Sequence, residues 1–261
     1  MTLFAIISSA LLGLLVGSFL NVVVHRVPAG LSVVSPRSSC PHCGHEISPR
    51  DNVPVISWLL LRGRCRHCST PVPARYPLVE LSTSTVFAGV AAAVGFTAHL
   101  PAFLFLAGAG IALFVIDLEH QRLPFAVTGV AAVGCSLLLG LDVWVSGPQP
   151  IAGALLAAGL WFLVYGGIWF ATAGRGMGLG DVALAPLLGF VLGWLGWGVT
   201  LTGLLAGFVL GAGVGLGLLA FAGASRRARV PHGPFMLAGA AVAVVVGANL
   251  WHGYLSVTGM S

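Results

Sequence analysis

Long apolar segments dominate this chain and restrict what it can fold into. Only 7% of its 261 residues are charged, whereas 57% are hydrophobic; a soluble domain carries about 25% charged residues. A helix that crosses a bilayer needs about 20 mostly apolar residues, and we identify eight such segments. They cover residues 3–24, 78–97, 101–118, 123–143, 150–172, 181–196, 199–222 and 234–256. The sequence therefore predicts an all-α polytopic membrane protein with about eight transmembrane helices.

The basic residues are confined to one set of connections between these segments. All 12 are Arg, and every one lies in a predicted loop. These loops are residues 25–77, 119–122, 173–180 and 223–233. Because cytosolic loops are enriched in basic residues, we expect these loops inside and both termini outside. The Arg residues form no nucleic-acid footprint, so the expected surroundings are a lipid bilayer, with no nucleic acid as partner.

Two CxxC pairs lie in the first cytosolic loop. They are Cys40 with Cys43 and Cys65 with Cys68. Two such pairs can supply four thiolates to one tetrahedral Zn²⁺, and a reducing cytosol disfavours disulfides. The spacing predicts a structural zinc site that compensates for the small core of this loop. The alternative is two redox-active or merely structural dithiol pairs.

Two aspartates stand at the ends of apolar segments. Asp117 ends the third segment and Asp181 opens the sixth, and the predicted topology puts both at the cytosolic face. Ionisable residues at such positions are usually functional. Two neighbouring carboxylates share one proton, so one can activate a water while the other protonates the substrate. We therefore predict that Asp117 and Asp181 form a catalytic pair of an aspartic peptidase.

The glycines before Asp181 fit the same interpretation. Gly178 and Gly180 would let an extended substrate backbone approach closely. The alternative for Asp181 is an N-cap of the sixth helix, and the alternative for Asp117 is a solvated helix end. Rival functions are a proton- or cation-coupled transporter that carries a zinc ribbon, a presenilin-like protease and a non-catalytic assembly factor.

Further motifs are spread over most of the chain. They are GSFLNVVVHRVP at 17–28, DNVPVISWL at 51–59, RGRC at 62–65, RYPLVEL at 75–81, LP at 123–124, GLGD at 178–181 and PHGPF at 231–235. Together with the cysteine loop, they make the chain resemble the type IV prepilin peptidases of the GxGD aspartic protease family. Two positions depart from the pattern, because Ala183 replaces a frequent basic residue and Phe125 a common acidic one.

The resemblance implies an activity, a substrate and a location. Similar enzymes remove the leader peptide from type IV prepilins or pseudopilins at the cytosolic face of the bacterial inner membrane. Those with the cysteine loop also N-methylate the new terminus with S-adenosylmethionine. Candidate contacts for this cofactor are Asn21, His25, Arg26 and Glu80, for which packing at helix ends is the alternative role.

The predicted organisation has two parts. Residues 1–80 contain the first transmembrane helix and the cysteine loop at about 25–77. Residues 81–261 form the transmembrane aspartic peptidase bundle.

Overall fold

The computed structural model describes residues 1–148, 150–221 and 231–259. This part of the chain contains nine α-helices and no β-strand. The helices are α1 (Thr2–Arg26), α2 (Ile56–Leu60), α3 (Arg75–Val94), α4 (Leu100–His120), α5 (Phe125–Ser146), α6 (Pro150–Ala171), α7 (Leu179–Trp194), α8 (Trp197–Phe221) and α9 (Gly233–Thr258). The predicted all-α polytopic fold is confirmed.

Seven of these helices are long and apolar enough to cross a membrane. They are α1, α3, α4, α5, α6, α8 and α9. The predicted sixth segment is α7, whose 16 residues extend only about 24 Å at 1.5 Å per residue. Gly196, with φ of +106°, separates α7 from α8, because few residues other than glycine adopt such a backbone conformation.

The described helices group into two compact units. The first consists of Met1–Phe96 with Ala107–Ala112, and the second of Thr97–Leu106 with Leu113–Ser261. The domain boundary that we predict at residue 80 stays a prediction. The predicted cytosolic loop 223–233 lies mostly outside the described residues, including Arg226, Arg227 and Arg229.

In the first unit, α1 packs closely on α3. A methyl group placed on Gly17 would lie 2.7 Å from the Cα of Glu80. Ser84 Oγ donates to the carbonyl oxygen of Ala10 at 2.9 Å. Small residues that bring two backbones together are typical of helix interfaces in membranes, and the cysteine loop connects these two helices.

In the second unit, the close contacts are α6 with α7 and α8 with α9. A methyl group on Gly189 would lie 2.6 Å from the carbonyl oxygen of Ala157, and one on Gly239 would lie 2.5 Å from the backbone nitrogen of Gly207. The abundant glycine thus lets these helices approach to backbone contact. Helices α4, α5 and α7 bring the three aspartates of this unit to its interior.

Candidate active site and candidate metal site

Asp117 lies in the last turn of α4 and is only 4% exposed. The first residue of α9, Gly233, is packed against it. The backbone N–H of Gly233 donates to the Asp117 carboxylate, and a methyl group on Gly233 would lie 2.7 Å from Oδ2. The sequence suggested a solvated helix end as the alternative for Asp117; this carboxylate is instead buried.

Asp181 is the third residue of α7 and is 8% exposed. Its Oδ2 accepts a hydrogen bond of 3.1 Å from the backbone N–H of Gly178, the N-cap residue. One oxygen of this carboxylate therefore helps to satisfy the free N–H groups at the start of α7. The capping alternative is right in part, although Asp181 itself is not the N-cap.

The segment between α4 and α5 brings the two aspartates together. A methyl group on Gly180 would lie 2.8 Å from Cβ of Leu123, and one on Gly233 would lie 3.0 Å from Cδ1 of the same leucine. The charge of Asp117 acts on the carboxyl group of Asp181. Leu123, six residues after Asp117, thus contacts the starts of both α7 and α9, next to Asp181 and to the glycine that binds Asp117. The two buried carboxylates therefore lie in one region of the second unit.

The two glycines predicted for the substrate loop have identifiable contacts. Gly178 supplies the N–H that binds Asp181, and a methyl group on it would lie 3.3 Å from Oδ2 of that residue. Gly180 is packed on Leu123. Their predicted role in substrate approach stays a prediction.

A cluster of aromatic rings lies near the carboxylates. Tyr165 of α6 is fully buried, and the charge of Asp181 acts on its phenol. Its ring is stacked on that of Phe208, with centroids 5.2 Å apart, and lies 5.8 Å from that of His232. Sequence reasoning missed Tyr165, although a phenol in the interior of an otherwise apolar helix is a recognisable signal.

A third buried aspartate has a different environment. Asp142, near the end of α5, is 2% exposed. Its carboxylate accepts hydrogen bonds from Trp194 Nε1 at 2.7 Å and Ser146 Oγ at 3.0 Å. His99 Nδ1 lies 3.4 Å from it. Asp142 lies within the predicted fourth segment, residues 123–143, and in the structure it is a helical residue with three side-chain partners, because α5 continues to Ser146.

The four cysteines of the loop converge. The Sγ atoms of Cys40, Cys43, Cys65 and Cys68 all lie within 4.8 Å of one another, and those of Cys40 and Cys68 are 3.8 Å apart. Four sulfurs about 2.3 Å from a tetrahedral zinc ion would be about 3.8 Å apart. The cluster can therefore hold a metal ion of that size.

The two CxxC turns have the same backbone pattern. Cys40 N–H donates to His45 and Cys65 N–H to Thr70, both at 2.9 Å. Gly44 and Ser69, which follow the two turns, have φ of +69° and +57°. The turns thus present their thiols in matching geometry, which is typical of a zinc ribbon.

Local hydrogen bonds favour the thiolate form that a metal requires at two of the four cysteines, whereas burial and the neighbouring thiols raise the pKa of Cys43 to about 11. Hydrogen bonding with Thr70 lowers the pKa of the Cys68 thiol to about 6. The backbone N–H groups of Cys43 and His42 lower the pKa of Cys40. Across the loop, Arg66 forms a two-pronged ion pair with Asp51, with Nη2 and Oδ1 2.6 Å apart.

The candidate cofactor residues of the first unit have mixed roles. Asn21 Nδ2 donates to the carbonyl oxygen of Tyr76 at 3.2 Å, and Glu80 Oε2 accepts from the N–H of Val55 at 2.7 Å. Both act in packing. His25 is exposed. Arg26 binds the carbonyl oxygens of the following loop and lines a cleft of about 290 Å³.

The fold and the juxtaposed carboxylates define the class of the protein. It is a multi-pass helical membrane protein in which the end of α4 and the start of α7 each place a buried aspartate in the second unit. Its first unit carries a tetracysteine cluster between two of the spans.

Comparison with known proteins identifies the family. The model of the bacterial peptidase A24 N-terminal domain matches residues 11–94, and that of the type IV leader peptidase family matches residues 104–216. The chain is 34% identical to the prepilin leader peptidase/N-methyltransferase of Aeromonas hydrophila, over 94% of this chain and 92% of that protein. The chain belongs to the type IV leader peptidase family.

Other relatives with the same name support this assignment. The protein from Pseudomonas aeruginosa is 33% identical over 97% of this chain and 94% of its own length. The one from Myxococcus xanthus is 39% identical over 77% of this chain and 60% of its own length. No solved structure matches the chain.

Proposed function

We propose that this protein is an intramembrane aspartic endopeptidase that removes the leader peptide from type IV prepilins or pseudopilins and then N-methylates the new terminus. The names of the relatives describe these two reactions, and the family match covers both units. The rival transporter function has no support in these comparisons.

The peptidase proposal depends on one observation, which is that the two carboxylates are buried without side-chain hydrogen-bond donors among the described residues. Asp117 and Asp181 are buried near each other, and within the described residues each accepts hydrogen bonds from backbone N–H groups alone. A buried charge is normally neutralised by a partner. Each of these two carboxylates has the other as its neighbouring acid. A proton shared between them leaves one negative charge instead of two and so reduces the buried charge.

The chemistry follows from that shared proton. The ionised carboxylate takes a proton from water while the water oxygen adds to the scissile carbonyl carbon. The carboxylic acid stabilises the oxygen that becomes negative. When the C–N bond breaks, the departing amine receives a proton from the pair. The pair acts as one unit, so the acid and base roles belong to Asp117 and Asp181 together.

The Arg distribution supports a location for the reaction. We place the protein in the bacterial inner membrane, with both termini outside and the aspartate pair at the cytosolic face. A prepilin leader is on that side before cleavage. Fusing a reporter that is active only in the cytosol after residue 121 should give a signal, whereas a fusion after residue 97 should give none.

S-adenosylmethionine is the proposed methyl donor, and it supplies an electrophilic methyl group. The cleft at the end of α1 is lined by Phe19, Arg26, Arg37 and Asn52. The two guanidinium groups fit the carboxylate of the donor, and the ring of Phe19 fits its base. Arg37→Ala should lower the binding of labelled donor about tenfold, since one charged hydrogen bond contributes about 1.5 kcal/mol or more, and should leave leader removal unchanged.

Zinc is the proposed metal of the cysteine cluster, and it would stabilise the loop without taking part in peptide cleavage. Four thiolates in matching turns support a closed structural site. Metal analysis of the wild-type protein, purified under reducing conditions, should give one zinc per chain. Cys43→Ser should lose the zinc and become sensitive to proteases in the loop, whereas Cys135→Ser, outside the cluster, should keep it. A metal-free wild-type protein with an intact loop contradicts the assignment.

Leader removal from a prepilin, with the protein in lipid nanodiscs, tests the main proposal. Wild-type protein should shorten the prepilin, and Asp117→Asn and Asp181→Asn should leave it intact while remaining folded in the membrane. Asp51→Asn serves as the matched control, because this aspartate pairs with Arg66 in the cysteine loop, and it should retain cleavage. An active Asp117→Asn or Asp181→Asn protein overturns the proposal.

A further inference from the structure

Buried polar atoms without a partner are rare in folded proteins, and three aromatic side chains of the second unit carry one each. They are Trp161 Nε1, Tyr165 Oη and His232 Nε2, none of which has a hydrogen-bond partner among the described residues. An unmade hydrogen bond of this kind costs about 1–3 kcal/mol. Such a cost is expected at a functional site, where a ligand completes the bond.

Of the three, Tyr165 stacks on two other aromatic rings. Its ring is stacked on those of Trp161 and Phe208, at centroid distances of 5.8 and 5.2 Å and interplanar angles of 22° and 17°. The side chain is fully buried. This stack restricts the ring, so the hydroxyl oxygen has a fixed position before any substrate arrives.

The hydroxyl lies in the region of the proposed pair without being bonded to it. The ring of Tyr165 is 5.8 Å from that of His232, and the next residue, Gly233, contacts the Asp117 carboxylate. On the other side, a methyl group on Gly166 would lie 3.9 Å from Val182, the neighbour of Asp181. Oη has no partner within hydrogen-bond distance in the described part of the chain, so it can donate to an oxygen atom of a substrate bound beside the carboxylates. In a peptidase, the scissile carbonyl oxygen occupies such a place, because the carbonyl carbon must be adjacent to the water that the aspartates activate.

We infer that Tyr165 is a further catalytic residue, whose hydroxyl donates a hydrogen bond to the scissile carbonyl oxygen and holds it as an oxyanion. This inference rests on the proposed peptidase function. When water adds to the carbonyl carbon, the π electrons move to the carbonyl oxygen, and the hydroxyl stabilises that charge without giving up its proton. When the C–N bond breaks, the carbonyl forms again and the amine receives its proton from the aspartates.

A preorganised donor of this kind accelerates the chemical step more than it strengthens substrate binding. Removal of one oxyanion donor from a protease lowers kcat by about 100- to 1,000-fold. Tyr165→Phe removes the hydroxyl and keeps the ring in its stack. We expect that loss in kcat with KM within about threefold of wild type, since the bond is strongest in the transition state.

The matched control is Trp161→Phe. It also removes an unpaired buried N–H from the same helix while keeping an aromatic ring in the stack, but Trp161 packs against Gly189, eight residues beyond Asp181 along α7. This variant should keep kcat within about threefold of wild type. The thermal stability of Tyr165→Phe should equal or exceed that of wild type, because the unpaired hydroxyl is gone; a purely structural role predicts a lower one.

The possible results distinguish the role of Tyr165 from the peptidase function on which it depends. Cleavage by wild type together with inactive Asp117→Asn supports the peptidase function whatever Tyr165→Phe does. In that same assay, a Tyr165→Phe protein with kcat near wild type, or an equal loss in Trp161→Phe, overturns the role of Tyr165. A wild-type protein that leaves prepilin intact overturns both.

Discussion

Buried carboxylates lie at both ends of α7, and they differ in their hydrogen-bond donors. Near its beginning, Asp181 shares a region with Asp117, and backbone N–H groups are their described hydrogen-bond donors. At its end, Trp194 donates to Asp142, which also contacts Ser146 and His99. Burial is similar, since the three aspartates are 2–8% exposed.

The hydrogen-bond partners of a buried acid in a membrane protein distinguish a structural role from a functional one. A carboxylate surrounded by side-chain donors is already satisfied and stabilises the fold. A pair of carboxylates that lacks such donors retains free lone pairs and a proton to exchange. Partners, rather than burial, separate Asp142 from the proposed catalytic pair.

A large effect on cleavage should follow from a change beside Asp117 that leaves both carboxylates in place. A methyl group on Gly233 would lie 2.7 Å from Asp117 Oδ2 and 3.0 Å from Leu123, so Gly233→Ala must displace the carboxylate. We expect a loss of about 100-fold in kcat, because small misplacements cost that much. Prepilin cleavage by purified protein measures it.

Gly217→Ala on α8 is the control for that prediction, since a methyl group there meets nothing within 4 Å. This variant should keep full activity. Equal activity of Gly233→Ala and Gly217→Ala would mean that contact with Gly233 does not position Asp117.

At the other end of α7, the expected effect is on stability. Asp142→Ala leaves the buried Trp194 Nε1 and the half-buried His99 without their acceptor, which should cost about 3 kcal/mol. Thermal unfolding in detergent should show the loss, while cleavage at a temperature where the variant is folded stays near wild type. Ser146→Ala removes one neutral donor and should cost about 1 kcal/mol. An Asp142→Ala protein that is as stable as wild type but cannot cleave prepilin would contradict a structural role for Asp142.

The smallest effect concerns Asp51 in the cysteine loop. Its hydrogen bonds and charge contact with Arg66 lower the pKa of Asp51. The ion pair therefore stabilises the loop above the unfolded pKa of about 4, and the contribution is lost as pH falls through the lower, folded pKa. Zinc-loaded wild type should resist loop proteolysis slightly better than Asp51→Asn at pH 7, and the two should become equal in strong acid. A constant difference at all pH values would exclude this ion pair as its cause.

The sequence predicts much of this arrangement because the informative signals are local. Apolar length predicts the spans, the CxxC spacing predicts the tetracysteine cluster, and the position of Asp117 and Asp181 at segment ends predicts that they share a membrane face. Each of these signals needs only neighbouring residues and the alternation of loops.

The parts that the sequence does not predict depend on contacts between distant helices. The sequence does not reveal the partners of Asp142, because His99 precedes α4 and Trp194 ends α7. Tyr165 lies in an apolar segment, and its proximity to Asp181 arises only when α6 packs on α7. The capping bond from Gly178 to Asp181 likewise depends on where α7 begins.

Whether Asp117 and Asp181 share one proton is tested most directly by comparing three sets of variants. These are the single variants Asp117→Asn and Asp181→Asn, the double variant, and Asp142→Asn. Two groups that act as one unit lose activity together, so either single change should lower kcat by at least about 10⁴-fold and the double change should add little. Asp142→Asn should keep kcat near wild type. A single variant within tenfold of wild type, or losses that multiply in the double variant, would contradict a shared-proton pair.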